Sequence, residues 1–277
     1  MSTLGTVIIR SRPRFWLYLA GPVLVGLVFG STGLDDLVSP LHLVLFLYFL
    51  LPANLYLYGV NDIFDADIDH HNPKKTGRER RYRGDRVTLL VTIGGLILGI
   101  AILPFVPAQA MMWFVGFFIL AGAYSIPPLH LKRRPFLDSL SNGLYILPGV
   151  GAYVTVAGEL PPVAIITGAW LWTMAMHTFS AIPDIQPDRR GGIQTTATVL
   201  GEQGAIVYCG VCWLIAAIAF MLVDIRGGLL LGVYPLLLSG WSIGAIDIYR
   251  AYWWYPAINA GIGMVLTIYG LWVITYG

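Results

Sequence analysis

Long apolar stretches alternate with short polar ones along almost the whole chain of 277 residues. A helix that crosses a bilayer needs about 20 mostly apolar residues. The pattern predicts an all-α, multi-pass membrane protein, folded as one domain over residues 1–277 with about nine transmembrane helices. The predicted spans are Phe15–Gly33, His42–Gly59, Val87–Phe105, Met111–Pro127, Ser139–Ala157, Pro162–Ser180, Gly204–Asp224, Gly227–Ile246 and Tyr255–Tyr276.

The composition supports this class of protein. Apolar residues make up 57% of the chain and charged residues only 12%, whereas a soluble domain carries about 25% charged residues. A soluble globular protein is therefore excluded. The net charge of +2 is small, so we expect no nucleic-acid partner.

The basic residues predict the orientation in the membrane. Sixteen of the 17 lysines and arginines precede the first span or lie in the loops after spans 2, 4, 6 and 8, and only Arg226 lies on the other face. Because positive charge accumulates on the cytoplasmic side, we expect a protein of the cytoplasmic membrane with its N-terminus inside and its C-terminus outside.

Two acidic clusters lie on the predicted cytoplasmic face. Asn61, Asp65 and Asp69 are spaced four residues apart after span 2, and Asp184 and Asp188 repeat that spacing after span 6. Carboxylates one helical turn apart repel each other, and charge beside the bilayer costs further free energy. Two such clusters indicate a bound cation, and oxygen ligands without clustered His or Cys favour Mg²⁺.

A basic stretch on the same face predicts an anion contact. Lys132 is followed by two arginines and preceded by Tyr124 and a pair of prolines. Lysine and arginine bind phosphate oxygens well. Ordinary positive-inside anchoring is the alternative interpretation of this stretch.

Taken together, these motifs resemble the UbiA superfamily of intramembrane prenyltransferases. The resemblance rests on Asn61-x3-Asp65-x3-Asp69, Tyr124-Ser125…Pro128…Lys132, Asp184-x3-Asp188 and the Thr195–Thr198 stretch that follows. It implies helices around a central cavity and Mg²⁺-dependent transfer of a prenyl group from an allylic diphosphate to a lipophilic acceptor. Tyr58–Asp67 and His177–Ile185 are most similar to the lycopene elongase and elongase/hydratase branch, which implies dimethylallyl diphosphate as donor and a carotenoid such as lycopene as acceptor.

The resemblance also implies roles for individual residues. The metal ligands and catalytic acids would be Asp65, Asp69, Asp184 and Asp188, with Asn61 as a further metal ligand and Asp62 as a supporting acid. Lys132, Arg12 and Tyr124 would bind the diphosphate. Pro183 and Pro187 bracket the second motif and predict that the helix bends or ends there.

Several alternatives stay open from the sequence. The chain could be an aromatic or lipid-ether prenyltransferase, or a cation-coupled transporter whose aspartates bind the ion. The proton acceptor could be Asp184 or His177, although a histidine in the core is the ordinary interpretation. Aromatic residues near the motifs could stabilise a carbocation or simply pack: Phe64, Tyr56, Tyr145, Trp170 and Trp172. Cys209 and Cys212 lie in an apolar run, which favours buried side chains over a redox pair.

Overall fold

The computed structural model describes residues 3–64, 84–242 and 247–277, and over these ranges the chain is helical, with no strand. The all-α class is therefore confirmed, and each predicted span overlaps a helix. The helices are α1 (Thr3–Arg10), α2 (Trp16–Gly30), α3 (Leu34–Leu37), α4 (Pro40–Leu50), α5 (Pro52–Phe64), α6 (Arg86–Ile102), α7 (Ala108–Ser125), α8 (Leu137–Leu140), α9 (Leu147–Ala157), α10 (Val163–Ala181), α11 (Ile185–Arg190), α12 (Thr196–Met221), α13 (Ile225–Leu231), α14 (Val233–Ser242) and α15 (Ile248–Tyr276).

Seven helical stretches within the described ranges are long and apolar enough to cross a bilayer. The predicted sixth and eighth spans are not among them. The sixth corresponds to α10, which is 19 residues long. It is long enough to cross a bilayer, but polar residues such as Thr167, Thr173 and His177 make it less apolar than the seven stretches. The eighth corresponds to the shorter apolar stretch Ile225–Gly240. The membrane-protein class is clear, whereas a count of nine spans stays a prediction.

The chain divides into two compact units, and the first comprises Met1–His130, Leu147–Leu160 and Thr267–Gly277. In this unit α2 packs against α9, and α5 packs against α6. Glycines allow α2 and α9 to approach closely, because a Cβ on Gly26 would overlap the carbonyl oxygen of Gly149, and one on Gly149 would lie 2.6 Å from the carbonyl oxygen of Pro22. Such contacts between small residues are a common means of holding helices together in membranes.

The second predicted span is broken in the middle, at Leu51 between α4 and α5. The Asn54 amide donates to the carbonyl oxygens of Phe49 and Leu50 at 3.0 Å each, which satisfies acceptors that the break would leave unpaired. Tyr56, one turn into α5, is buried and donates to the carbonyl oxygen of Phe118 on α7 at 3.0 Å. Its ring therefore belongs to the packed interior of this unit.

The second unit comprises Leu131–Ile146 and Pro161–Leu266, and α10 and α12 form its largest helix pair. The predicted span Ser139–Ala157 corresponds to the apolar helical stretch Leu137–Ala157. Within it, α8 is followed by a 3₁₀ turn, Ser141–Tyr145, before α9 begins. The Ser141 hydroxyl donates to the carbonyl oxygen of Leu137, and the Asn142 amide donates to that of Asp138 at 2.6 Å. Side chains that bond to nearby carbonyls in this way compete with regular helix.

An aromatic cluster fills part of the second unit. The Trp213 ring lies 5.2 Å from Tyr234, 5.7 Å from Phe179 and 5.8 Å from Tyr255, measured between ring centroids. Trp172, one of the predicted candidates, contacts Tyr234 at 5.8 Å. The same helix as Trp213 carries the thiols of Cys209 and Cys212, both free and buried.

The close approach of α2 and α9 gives a stability prediction. Gly26→Val should lower the thermal midpoint in detergent, by the equivalent of about 1–3 kcal/mol, because the new side chain would overlap backbone of α9. Gly21→Val is the matched control on the same helix, since a Cβ there meets no atom within 4 Å. Equal midpoints for the two variants would contradict this packing.

Candidate active site

The second acidic motif lies on a helical turn that follows α10. That helix ends at Ala181, residues Ile182–Asp184 form a 3₁₀ turn, and α11 begins at Ile185. The expected end of the α-helix near Pro183 is thus present. The backbone of Asp184 and Ile185 nevertheless stays right-handed helical, so Asp184 and Asp188 lie about one turn apart on a similar face.

Neighbouring contacts fix this turn within the second unit. Ile182, Pro183 and Ile185 are buried, while Asp184 and Asp188 are half-buried. On the next residue, the Arg189 guanidinium donates to the carbonyl oxygen of Thr198 at 2.7 Å. The turn is therefore held from its apolar side and at its end, and the two carboxylates lie on its partly exposed side.

The first motif begins on the last turn of α5 in the first unit. Asn61 is half-buried there, and its neighbour Asp62 is 2% exposed. Asp65 and Asp69 lie outside the described residues. Phe64, predicted as an aromatic candidate, is 42% exposed at the end of the helix.

Asp62 is the centre of a buried ionic network. Its carboxylate accepts from the Arg10 guanidinium at 3.1 Å and from the Arg12 guanidinium at 2.8 Å. Arg10 also donates to Asp85 at 3.1 Å, and the Arg12 guanidinium carbon lies 4.5 Å above the ring of Tyr58. Within the described residues, the buried charges of Arg10 and Asp62 are paired, as buried charges must be, while the Asp85 side chain is 34% exposed. We call Arg10, Arg12, Asp62 and Asp85 the arginine clamp.

Asp85 links the clamp to the start of α6. One of its oxygens accepts from the backbone N–H and from the hydroxyl of Thr88, each at 2.8 Å. Burial raises the pKa of Asp85, but the hydrogen bonds from Thr88 and the charge of Arg10 outweigh it and hold this pKa below its ordinary value. Asp85 is therefore ionised at neutral pH and caps the helix.

A second buried carboxylate, which the sequence did not single out, organises the second unit. Asp138 is fully buried and accepts from the backbone N–H of Thr196 at 2.9 Å and from its hydroxyl. The Nε2 atom of His177 lies 3.5 Å from the same carboxylate. Asp138 thus connects α8, the start of α12 and the face of α10 that leads to the second motif.

The three predicted diphosphate ligands lie on different elements of the chain. Lys132 lies in the 3₁₀ turn Leu131–Arg133 of the second unit and is half-buried. Tyr124 lies at the end of α7, and Arg12, which contacts Asp62, lies before α2; both belong to the first unit. Their contact with a diphosphate therefore stays a prediction.

The donor chemistry fits a magnesium ion. Asn61, Asp184 and Asp188 offer only amide and carboxylate oxygens on partly exposed turns, and Mg²⁺ is bound by such ligands. Among the described residues no three His, Cys, Asp or Glu side chains lie close enough together to hold a metal ion. Asp65 and Asp69 lie outside those residues.

Comparison with known proteins identifies the family. The profile of the UbiA prenyltransferase family matches residues 19–274, and the chain belongs to that family. Two similar relatives are lycopene elongase/hydratases. That of Halobacterium salinarum is 56% identical over 270 residues, 97% of this chain and 98% of the relative. That of Haloferax volcanii is 53% identical over 269 residues, 97% of this chain and 89% of the relative.

Solved structures show the same fold. A UbiA homologue from Archaeoglobus fulgidus bound to GPP and Mg²⁺ superposes with a TM-score of 0.76 at 21% identity, covering 97% of this chain and 99% of that one. A UbiA homologue from the same organism bound to DMAPP and Mg²⁺ superposes with a TM-score of 0.72 at 18% identity, covering 98% of this chain and 99% of that one. The predicted fold, the enzyme class and the resemblance to the carotenoid branch are confirmed: the chain is an intramembrane prenyltransferase.

The hydrogen bonds of Asp138 give a prediction for the stability of the protein. Asp138→Asn should lower the thermal midpoint by the equivalent of about 1–3 kcal/mol, because an amide in place of one carboxylate oxygen leaves the donors of Thr196 poorly paired. Asp35→Asn is the matched control, since Asp35 is exposed on α3. An Asp138→Asn protein as stable as the control would contradict the role assigned to this carboxylate.

The environment of Asp85 gives a prediction for how the stability of the protein depends on pH. A carboxyl group whose pKa is depressed on folding stabilises the protein above its unfolded pKa of about 3.9, and this contribution is lost as pH falls through the lower, folded pKa. Asp85→Asn should therefore lower the thermal midpoint at pH 7, and the gap to the unmodified protein should close below about pH 4. A gap that is unchanged or wider at acidic pH would contradict the stated environment of Asp85.

Proposed function

We propose that this enzyme transfers the five-carbon prenyl group of dimethylallyl diphosphate to an acyclic carotenoid such as lycopene, with Mg²⁺ as the cofactor. The observation that carries the proposal is the pair of half-buried carboxylates, Asp184 and Asp188, on the anchored turn that follows α10, within the part of the chain that matches the prenyltransferase family. The relatives named lycopene elongase/hydratase, each matching 97% of the chain, support the acceptor.

The metal would be held by the two acidic motifs. Asn61, Asp65 and Asp69 would form one site and Asp184 and Asp188 the other. When bound, Mg²⁺ offsets the negative charge that grows on the departing diphosphate. The solved homologue bound to DMAPP and Mg²⁺ supports this cofactor.

The chain's own residues would supply the remaining chemistry. Lys132, Arg12 and Tyr124 would donate to diphosphate oxygens and so stabilise the leaving group. The apolar helices would keep water from the allylic cation until an electron-rich carbon of the acceptor attacks it. The elongated cation then loses a proton, and Asp184 and His177 are the candidate acceptors. The Nε2 atom of His177 lies 3.5 Å from the Asp138 carboxylate.

The orientation follows from the basic loops. With the N-terminus inside, both acidic motifs face the cytoplasm, where a soluble diphosphate donor is available, and the lipophilic acceptor enters from the bilayer. An aromatic or lipid-ether prenyltransferase would share the donor site and differ only in the acceptor. A cation-coupled transporter would release no diphosphate.

The test is the product made in a bacterial host that accumulates lycopene. We expect expression to yield carotenoids heavier by one or two five-carbon units, with or without added water, by liquid chromatography and mass spectrometry. Unaltered lycopene beside prenylated quinone precursors or glyceryl ethers would overturn the carotenoid acceptor. Cation uptake into proteoliposomes without diphosphate release would overturn the enzymatic proposal itself.

The acidic motifs give a prediction for the turnover of two variants. Asp65→Asn and Asp188→Asn should each lower turnover at saturating Mg²⁺ by at least about a hundredfold, because each removes a carboxylate that offsets charge on the leaving group. The same substitution at exposed Asp35 should leave turnover unchanged. Membrane insertion is checked by comparing protein levels, and activity retained in either motif variant would count against the metal assignment.

A further inference from the structure

The second acidic motif ends on a helix that is too short to hold its own direction. This helix, α11, comprises only six residues, Ile185–Arg190, and isolated helices shorter than about 12 residues are marginal in water. Its orientation therefore depends on the contacts at its two ends. The buried side chain of Ile185 holds the first end, and Asp188 lies near the second.

A hydrogen-bonded turn closes the second end of α11. The backbone N–H of Ile193 donates to the carbonyl oxygen of Asp188 at 2.9 Å. The backbone N–H of Gly192 donates to the carbonyl oxygen of Arg189 at 3.2 Å. The two bonds form a Schellman motif, which requires a left-handed residue, and Gly192 supplies it with a φ of 68°. The backbone of Asp188 is thus part of the helix end itself.

The first turn of α12 presents a fixed acceptor to this end. Thr195 and Thr198 cap the helix reciprocally, because the backbone N–H of each donates to the hydroxyl of the other, at 2.7 Å and 3.2 Å respectively. Three residues further on, Gly201 leaves the helical conformation, with φ of 69° and ψ of 175°. The last carbonyl groups before the end of a helix lack partners within it, so the carbonyl of Thr198 can accept from a neighbouring element.

Arg189 joins the two elements. Although the residue is exposed, its guanidinium donates to the carbonyl oxygen of Thr198 at 2.7 Å. Hydrogen bonds from a charged donor are stronger than those between neutral groups. Successive residues on an α-helix point about 100° apart. Holding the side chain of Arg189 against α12 therefore sets the direction in which the neighbouring Asp188 points.

We infer that Arg189 is a positioning residue for the second metal site. It fixes the last turn of α11 against α12, so that the carboxylate of Asp188 is directed before the metal binds. This inference rests on the proposed function, in which Asp184 and Asp188 bind Mg²⁺. Metal ligands in other proteins depend in a similar way on the groups that orient them, and loss of such a group costs about 10–100-fold in metal affinity.

The test measures binding of Mn²⁺ alone by electron paramagnetic resonance, on purified protein in lipid nanodiscs without donor or acceptor. Carboxylates bind Mn²⁺ as they bind Mg²⁺. Asp188→Asn defines the site, because only the Mn²⁺ that this variant fails to bind belongs to it. Arg189→Gln should weaken binding of that Mn²⁺ by about tenfold. Arg189→Lys should weaken it by less, because an ammonium also donates to a carbonyl but lacks the planar fork of a guanidinium.

Arg190→Gln is the matched control. Arg190 carries the same charge on the next residue of α11 and is also exposed, and within the described residues it makes no hydrogen bond. Coulomb repulsion alone would make the loss of either positive charge strengthen Mn²⁺ binding. Weaker binding in Arg189→Gln, with Arg190→Gln within about twofold of the unmodified protein or tighter, is therefore the signature of positioning.

Two results would overturn the inference. One is Mn²⁺ affinity in Arg189→Gln that is unchanged or higher. The other is equal weakening in Arg190→Gln, because the specific contact with Thr198 would then be irrelevant. If Arg189→Gln does not fold, Arg189→Lys decides: we expect binding weaker by at least about threefold, and unmodified affinity would overturn the inference.

Hydrogen exchange of backbone amides measures the position of the turn directly. The amides of Gly192 and Ile193 should exchange about tenfold faster in Arg189→Gln, because the end of α11 opens more often once its contact with α12 is lost. Exchange as slow as in the unmodified protein would contradict the inference, as would equal acceleration in Arg190→Gln.

Failure of the proposed function gives different results. Unmodified protein that binds no Mn²⁺ at the site defined by Asp188→Asn would refute the metal assignment, and the inference with it. Normal Mn²⁺ binding without any prenylated product would refute the proposed reaction and leave the role of Arg189 standing, since Mn²⁺ binding needs no turnover.

Discussion

A charged side chain that leaves water inside an apolar helical protein must be paired, and the buried carboxylates of this molecule obey that constraint. In the first unit Asp62 is enclosed by Arg10 and Arg12. In the second unit Asp138 accepts from both donors of Thr196 and lies beside His177. Removing one partner from such a group is costly because the other stays buried. These pairings fix the helix ends from which each acidic motif extends.

Different interactions hold the backbone beside the acidic motif in each of the two units. The first motif extends from a helix whose rotation is set by ionic contacts, and the second lies on a turn set by apolar burial of Ile182 and Ile185 together with the contact from Arg189 to Thr198. The candidate ligands that the structure describes are half-buried: Asn61, Asp184 and Asp188. That arrangement suits a metal site, because ligands must be directed in advance yet open to substrate.

The sequence predicted those features that depend on neighbours along the chain. Hydrophobic run lengths predicted the membrane class, and motif spacing predicted the family. Pro183 predicted that the α-helix ends before the second motif, which the structure confirms. It did not predict contacts that join distant positions. Arg10, Arg12 and Arg14 look alike under the positive-inside rule, and only the folded chain brings Arg10 to Asp62 and Asp85. Asp138 was missed because the predicted span began one residue later, at Ser139, and the break after α8 arises from side-chain hydrogen bonds that apolar periodicity does not report.

Both acidic motifs are proposed to hold the donor diphosphate through divalent ions. The most direct measurement is an experimental structure with Mg²⁺ and an unreactive thiolo analogue of dimethylallyl diphosphate. The account predicts an oxygen of Asp65 or Asn61 and an oxygen of Asp188 or Asp184 at about 2.1 Å from Mg²⁺, with the diphosphate bound to the same ions. A diphosphate bound without contact between metal and either motif would contradict it.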